Sequence, residues 1–196
     1  MGQKASPGDM TEVQGPGTIL IHAPTNDEAI RLIDRIASVY GEVYQEPPYL
    51  EGPDDVAAFV EDWPRRVTQP GFRLVTAAAD DEIVGFAFGH QLPTETKWWK
   101  GAVTPLPEEL TLEHAGRTFA IIELAVRRPY RRMGIGRALH SALLSDRPEE
   151  RVTLLARPEA VPAQRAYASW GYRVVGQVQP WQDAPIYDAL IRQLTF

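Results

Sequence analysis

The sequence predicts a mixed α/β fold in which helices pack on the faces of a mixed β-sheet. Short runs with strand character alternate along the chain with amphipathic stretches at helical spacing. Two of the strand runs are joined by the tight polar turn Asp80-Asp81, which predicts a hairpin. The predicted order of elements is β-α-α-β-β-β-α-β-α-β-β, an order typical of a sheet covered by helices.

The first half of the chain begins with a predicted strand over Thr18 to His22. Thr25 to Glu28 has the Thr-x-x-Glu pattern of a capping box, so a helix is expected to begin there and to continue to Tyr40. Asp54 is a candidate cap for a second helix, which is expected to end near Pro64 because proline disrupts a helix interior.

The second half of the chain is predicted to contain a long insertion, residues 92–117, and then two further helices. The insertion carries Trp98 and Trp99, which are candidates to cover an acceptor pocket, the core or a dimer contact; the flanking lysines favour an exposed segment. The predicted strands are Phe72–Ala79, Ile83–Gln91, Thr118–Val126, Val152–Ala156, Tyr172–Val178 and Ile186–Leu194, and the predicted helices begin near Ile135 and Pro162.

Composition limits the classes of function. The 196 residues carry a formal net charge of −6, which argues against nonspecific binding to nucleic acid. The absence of cysteine excludes disulfides and thiolate chemistry and fits a cytoplasmic protein. No apolar run is long enough to span a membrane. Residues 1–17 are expected to be a disordered tail and residues 18–196 a single domain.

The stretch Arg131 to Gly136 follows a predicted strand and begins a predicted helix. Its two glycines allow close approach of the backbone to an anion, and the helix start directs unpaired N–H groups toward that anion. Five arginines occur between Arg127 and Arg137, which favours a polyphosphate ligand; a turn with solvated arginines is the alternative. A dinucleotide fingerprint is excluded because Leu139 stands where its third glycine is required, and no Gly-Lys-Ser/Thr triplet exists.

Two motifs in this order of elements resemble the GCN5-related N-acetyltransferases (GNAT), which transfer an acetyl group from acetyl-CoA to an amine. Arg131, Gly134 and Gly136 match the family's Arg/Gln-x-x-Gly-x-Gly/Ala signature. The second signature, a helix with Ala and Tyr before an aromatic-Gly-aromatic stop, is matched by Ala163, Tyr167 and Trp170 to Tyr172. The resemblance implies a GNAT-like fold over about residues 18–194.

The resemblance also implies a role for each matched position. Main-chain groups of the strand end are expected to bind the pantetheine arm of acetyl-CoA, with the Val126 N–H polarising the thioester carbonyl. The loop is expected to bind the diphosphate, with charge added by Arg131 and Arg137. The implied cofactor-binding residues are Leu124, Ala125, Val126, Arg131, Arg132, Met133, Gly134, Ile135, Gly136 and Arg137. No metal is expected, because the four histidines are scattered.

Two side chains are candidates for acid–base chemistry. Tyr167 is the candidate acid that protonates the departing thiolate, and its alternative role is packing on the apolar face of its helix. Glu123 is the only carboxylate in its strand and is the candidate base that deprotonates the acceptor ammonium; the alternative is an outward-pointing or arginine-paired carboxylate.

The sequence indicates the acceptor less clearly. Seven acidic residues and no lysine or arginine lie between Gly41 and Asp62, so this segment is either a wall that attracts a cationic amine or a solvated face. We expect an acetyl-CoA-dependent N-acetyltransferase acting on a small primary amine by direct transfer. The alternatives are an acetyltransferase of protein or peptide amino termini and a non-catalytic acyl-CoA sensor. No nucleic-acid or membrane partner is expected, and the sequence leaves a homodimer open.

Overall fold

The computed structural model describes residues 11–14 and 18–194. Four of the residues predicted to be a disordered tail, Thr11–Gln14, instead form strand β1, which pairs antiparallel with β2 (Thr18–His22). The rest of the predicted tail lies outside the described residues. The other elements are α1 (Asn26–Arg31), α2 (Ile33–Tyr44), α3 (Pro53–Val67), β3 (Arg73–Ala79), β4 (Glu82–Gln91), α4 (Glu108–Thr111), β5 (Thr118–Val126), α5 (Ile135–Leu144), β6 (Arg151–Ala156), α6 (Val161–Ser169), β7 (Arg173–Val178) and β8 (Tyr187–Gln193).

The predicted mixed α/β fold is confirmed. The strands follow the order β1-β2-β3-β4-β5-β6-β8-β7. The pairs β1–β2, β2–β3 and β3–β4 are antiparallel, β5–β6 is parallel, and β6–β8 and β7–β8 are antiparallel. By internal contacts the chain divides into two compact units, Met1–Gly89 with Glu123–Asp146, and His90–Ile122 with Arg147–Phe196.

The first predicted helix begins as predicted and differs from the prediction at two later points. The capping box is confirmed, because the Thr25 hydroxyl accepts from the Glu28 N–H. The single predicted helix is divided at Leu32 into α1 and α2, and α2 extends to Tyr44 rather than ending at Tyr40. This extension adds one helical turn, which carries a second tyrosine, Tyr44.

Helix α3 begins and ends differently from the prediction. Gly52 caps it, and the Gly52 N–H donates to the Asp55 carboxylate at 2.8 Å, so Asp54 lies in the first turn and is not the cap. Pro64 lies inside the helix, which continues to Val67. The proline is exposed and close to the helix end, while its neighbours Trp63 and Val67 are buried and hold the last turn against the core.

Aromatic rings fill the core of the first unit on the α3 face of the sheet. Phe59 and Trp63 of α3 contact Phe88 of β4, with ring centroids 6.2 Å and 5.1 Å away. The Trp63 indole N–H donates to the Ala29 carbonyl oxygen at 2.9 Å, which ties α3 to α1. Helix α5 packs on the other face, where a Cβ on Gly85 of β4 would lie 3.2 Å from a methyl group of Leu139.

Trp98 and Trp99 of the insertion pack on the core of the second unit. Of the three roles that the sequence left open for them, the structure thus shows that of covering the core. Trp99 is buried against Val178, Ala189 and Ile191, and Trp98 packs on the same cluster. The Trp99 indole N–H donates to Glu113, whose carboxylate also accepts from the buried Arg151 guanidinium at 2.7 Å. Among the helices of residues 11–14 and 18–194, none is long and apolar enough to cross a bilayer.

Candidate active site

The loop between β5 and α5 has the backbone shape of an anion cradle. Arg132 and Gly134 both adopt the left-handed conformation, with φ of 65° and 80°. Helix α5 begins directly after Gly134 and has no side-chain cap, so the first N–H groups of the helix are open to a ligand. Alternation of left- and right-handed residues ahead of a helix start turns successive N–H groups toward one point and favours an anion there.

The arginines of this loop have different surroundings. Arg132 and Arg137 are exposed, and within the described part of the chain neither side chain forms a hydrogen bond or an ion pair. Arg127 is bound by α2 and β4, because its guanidinium pairs with Glu82 and, at 3.1 Å, with Glu42. Arg132 and Arg137 are therefore two exposed cations beside the start of α5, where an anionic ligand would bind.

Arg131 is engaged with the protein itself. Its Nε donates to the Val126 carbonyl oxygen at 2.9 Å, and its Nη1 donates to the Glu46 carboxylate at 2.7 Å. The side chain is thus fixed between the end of β5 and the segment that follows α2. The sequence signature gave no indication of the Glu46 contact, because the two residues are 85 positions apart.

The end of β5 is closely packed against β4. The Arg127 N–H donates to the Val84 carbonyl oxygen at 2.8 Å. Ala125 and Val126 are buried, and a Cβ on Gly85 would lie only 2.9 Å from the Ala125 carbonyl oxygen. Glycine at position 85 is therefore needed for the two strands to approach this closely.

Glu123 lies three residues before Val126 on β5 and is only partly accessible to solvent. The Tyr44 hydroxyl donates a hydrogen bond to its Oε2. Burial raises the pKa of the Glu123 carboxyl to about 7; the Tyr44 hydrogen bond and the positive charge of Arg66 lower it, and the Glu51 carboxylate raises it. A carboxyl group with a pKa near neutrality is suited to exchange protons with an amine.

A second tyrosine–glutamate pair lies beside the first. The Tyr40 hydroxyl donates to the Glu51 carboxylate, and the rings of Tyr40 and Tyr44 have centroids 4.6 Å apart. Tyr49 contacts the Tyr44 ring edge-on, with centroids 4.8 Å apart. Tyr44 lies beyond the predicted end of the first helix, although its spacing of four residues from Tyr40 would place both on one face of a continued helix.

Most of the acidic residues between Gly41 and Asp62 bind groups of the protein. Glu46 and Glu51 have the partners described above, and Asp62 pairs with Arg65 and Arg66 on its own helix. Glu42 binds Arg127, and Asp55 binds the start of α3. The acidic run is thus largely structural, and the carboxylate of the run that influences Glu123, that of Glu51, comes from the loop after α2.

Tyr167 belongs to the second unit, on α6. Its ring contacts those of Trp170 and Tyr172 edge-on, each with centroids 5.6 Å away. Its carbonyl oxygen accepts from the Tyr172 N–H at 3.1 Å, across a turn that Gly171 makes with a φ of 89°. The predicted aromatic-Gly-aromatic stop of the helix is therefore present, and it fixes the Tyr167 ring at one face of α6.

Comparison with known proteins identifies the family. The sequence profile of the acetyltransferase (GNAT) family matches residues 31–172, a span that holds both signatures. The chain belongs to the GNAT acetyltransferase family. No curated protein matches the chain in a sequence search.

Solved structures of GNAT-type proteins share the fold at low sequence identity. Ard1 from Thermoplasma volcanium is 18% identical with a TM-score of 0.57, covering 97% of this chain and 100% of that one. The PaiA N-acetyltransferase from Thermoplasma acidophilum, solved in complex with coenzyme A, is 11% identical with a TM-score of 0.57, covering 89% and 99%. Aminoglycoside 6′-acetyltransferase type Ii is 16% identical with a TM-score of 0.61, covering 90% and 97%.

Proposed function

We propose that this GNAT member transfers an acetyl group from acetyl-CoA to a small primary amine in a ternary complex. The observation that carries the proposal is the position of Glu123, a carboxyl with a pKa near 7, on the same strand end that leads into the anion cradle. An acyl acceptor amine is an ammonium ion at neutral pH, so a base is needed beside the donor. The solved structures of Ard1, PaiA and aminoglycoside 6′-acetyltransferase type Ii share the fold on which this proposed chemistry depends.

The donor loop, which we define as Arg127 to Gly136, fits the diphosphate of coenzyme A. Main-chain donors come from the left-handed residues Arg132 and Gly134 and from the uncapped start of α5. Exposed cations come from Arg132 of the loop and from Arg137 in the first turn of α5. When it is bound, acetyl-CoA supplies an acetyl group activated as a thioester. The proposed contacts of the pantetheine arm are main-chain groups of Leu124 to Val126.

The proposed chemistry assigns one proton transfer to each end of the reaction. Glu123 accepts a proton from the acceptor ammonium, directly or through water, and the freed amine attacks the thioester carbonyl carbon. The Val126 N–H donates to the carbonyl oxygen as negative charge develops on it. A carbon–nitrogen bond forms as the carbon–sulfur bond breaks, and the Tyr167 hydroxyl protonates the thiolate. The nitrogen releases its second proton to water as it becomes an amide, and the tyrosine hydroxyl regains a proton from water.

The surroundings of Glu123 favour a cationic, compact acceptor. Glu51 places a second carboxylate close enough to influence the Glu123 pKa, and the buried Tyr44 ring, which contacts the half-buried Tyr49, packs on the protein side of the site. Carboxylates and aromatic faces both attract ammonium groups. We therefore place a primary amine of a small molecule here in preference to a protein amino terminus.

A screen for thiol release tests this proposal. Acetyl-, propionyl- and succinyl-CoA are each offered with a panel of polyamines, aminoglycosides, amino acids and short peptides, and free thiol is measured. We expect amine-dependent release with acetyl-CoA and a small basic amine, and loss of release in Glu123→Gln. Release only with peptides would favour a peptide acetyltransferase. Tight binding of acetyl-CoA without release for any amine would overturn the proposal in favour of a sensor.

A further inference from the structure

The loop between α2 and α3, residues 45–52, forms one side of the Glu123 environment. We call it the acceptor segment. Tyr49 of this segment contacts the Tyr44 ring, and the Glu51 carboxylate accepts from the Tyr40 hydroxyl. The Glu51 N–H donates to the Tyr44 carbonyl oxygen at 2.9 Å, so the C-terminal part of the segment is folded back on the end of α2.

The N-terminal part of the acceptor segment is held by a different residue. Glu46 begins a turn whose carbonyl oxygen accepts from the N–H groups of Tyr49 and Leu50, at 3.1 Å and 3.3 Å. The carboxylate of the same Glu46 binds Arg131 of the donor loop at 2.7 Å. Arg131 therefore makes two contacts. Its Nη1 binds Glu46, which begins the turn that carries Tyr49, and its Nε donates to the Val126 carbonyl oxygen at the end of β5.

We propose that Arg131 is a positioning residue that couples the donor loop to the acceptor segment through Glu46, so that donor binding orders the acceptor side of the site. The inference rests on the proposed function for the identity of the donor. A guanidinium suits this role, because its planar fork donates in two directions at once, whereas a lysine ammonium would satisfy only one of these contacts well. The direct alternative is that the Arg131 side chain binds the diphosphate.

The two roles predict different effects on donor affinity when Glu46 is removed. If the Arg131 side chain bound the diphosphate, removing the competing Glu46 carboxylate would free it and strengthen donor binding. If Arg131 positions the acceptor segment, removing Glu46 leaves the affinity for donor nearly unchanged and loosens the segment. The side chains of Arg131 and Glu46 are each about one-third exposed, so their ion pair is weak. We therefore expect its loss to speed amide exchange in the acceptor segment by about three- to five-fold.

Hydrogen exchange in the free protein tests the anchoring, and it requires no acceptor. We expect amide exchange across residues 45–52 to be about three- to five-fold faster in Glu46→Ala and in Arg131→Lys than in the native protein. Glu42→Ala is the matched control, because Glu42 also pairs with an arginine of the donor loop but lies outside the acceptor segment. Native exchange rates in Glu46→Ala, or equal acceleration in Glu42→Ala, would overturn the anchoring role.

Addition of coenzyme A tests the coupling. We expect the ligand to slow exchange across residues 45–52 in the native protein and to leave it unchanged in Glu46→Ala, with calorimetric Kd values that agree within about two-fold. Slowing in both proteins would overturn the coupling, and tighter binding in Glu46→Ala would favour the direct role of Arg131. If the native protein gives no heat with coenzyme A, the proposed function fails, whereas the free-protein exchange still decides whether Glu46 and Arg131 anchor the segment.

Discussion

The Tyr44 hydroxyl donates to the Glu123 carboxylate and links the last turn of α2 to the strand that leads into the donor loop. Two opposing influences act on this carboxylate, because burial favours its protonated form and the Tyr44 hydrogen bond favours its charged form. The result is a group that titrates near neutral pH. A carboxylate with this pKa is a stronger base than the carboxylate of an ordinary exposed glutamate.

Replacing Glu123 by glutamine tests its role as the base. Because the pKa of Glu123 is raised to about 7, native kcat/KM should rise with pH up to about that value and then level off. The Glu123→Gln variant should be about 10²- to 10⁴-fold slower and should lack this acidic limb. Steady-state kinetics over a pH series provide the measurement. An acidic limb that persists unchanged in the variant would show that another group is the base.

Replacing Tyr44 by phenylalanine should shift the same limb in a defined direction. The hydrogen bond from Tyr44 lowers the pKa of Glu123, so its loss should move the acidic limb upward by about one pH unit. Tyr40→Phe is the matched control, because it removes the same hydroxyl one helical turn away, where the partner is Glu51. A downward shift in Tyr44→Phe, or an equal shift in the control, would contradict this assignment.

Glu123 should also make the protein less stable at high pH. Its folded-state pKa of about 7 lies above the ordinary value of 4.5, so the folded state binds more protons than the unfolded state between these values. Stability due to this group is therefore full below about pH 4.5, is lost as pH rises toward 7, and stays low above it. Relative to the native protein, Glu123→Gln should gain roughly 2–3 kcal/mol between pH 4.5 and 8 by urea unfolding. A constant difference across this range would contradict the raised pKa.

The sequence predicted the elements whose signals are local. The Thr25 capping box, the Asp80-Asp81 hairpin and the strand over Thr118–Val126 depend on neighbouring residues, and all three are present. The break at Leu32 has no local signal in the sequence, whereas the extension of α2 to Tyr44 continues the four-residue spacing of Tyr40 and Tyr44. The partner of Glu123 was missed because the predicted helix ended at Tyr40, and Tyr44 lies within the extension.

Tyr167 is expected to act on turnover and to leave donor affinity unchanged. Tyr167→Phe removes the hydroxyl that we propose protonates the thiolate, while the ring contacts with Trp170 and Tyr172 remain available. We expect kcat to fall by about 10²-fold or more, with the calorimetric Kd for acetyl-CoA nearly unchanged. Tyr172→Phe is the control, because it removes a hydroxyl from the same aromatic cluster. Turnover equal to that of the native protein would assign Tyr167 to packing alone.

Gly134 is expected to be required for the backbone shape of the donor loop. A Cβ at this position meets no atom within 4 Å, so the cost of Gly134→Ala arises from its φ of 80° and should be about 1–2 kcal/mol of stability, with weaker binding of coenzyme A. Gly52→Ala is the matched control, because Gly52 is equally open but has a φ of −113°. Thermal unfolding and calorimetry provide the measurements. Equal effects of the two substitutions would contradict a role for the left-handed conformation.

The roles of individual arginines could not be predicted from the motif. The signature identified the loop, and the structure shows the cradle geometry at Arg132 and Gly134. The motif did not distinguish Arg131, which binds Glu46 and Val126, from Arg137, which is exposed. That distinction depends on a segment far away in sequence, so it appears only when the chain is folded.

Calorimetric titration with coenzyme A measures whether the donor loop binds its diphosphate. We compare the native protein with the double variant Arg132→Ala/Arg137→Ala, which removes two exposed cations at the start of α5 and leaves the main chain able to fold. We expect saturable binding to the native protein, weakened about ten-fold or more in the variant and increasingly weak with added salt. Absence of heat with the native protein, or equal affinity in the two proteins at low salt, would contradict it.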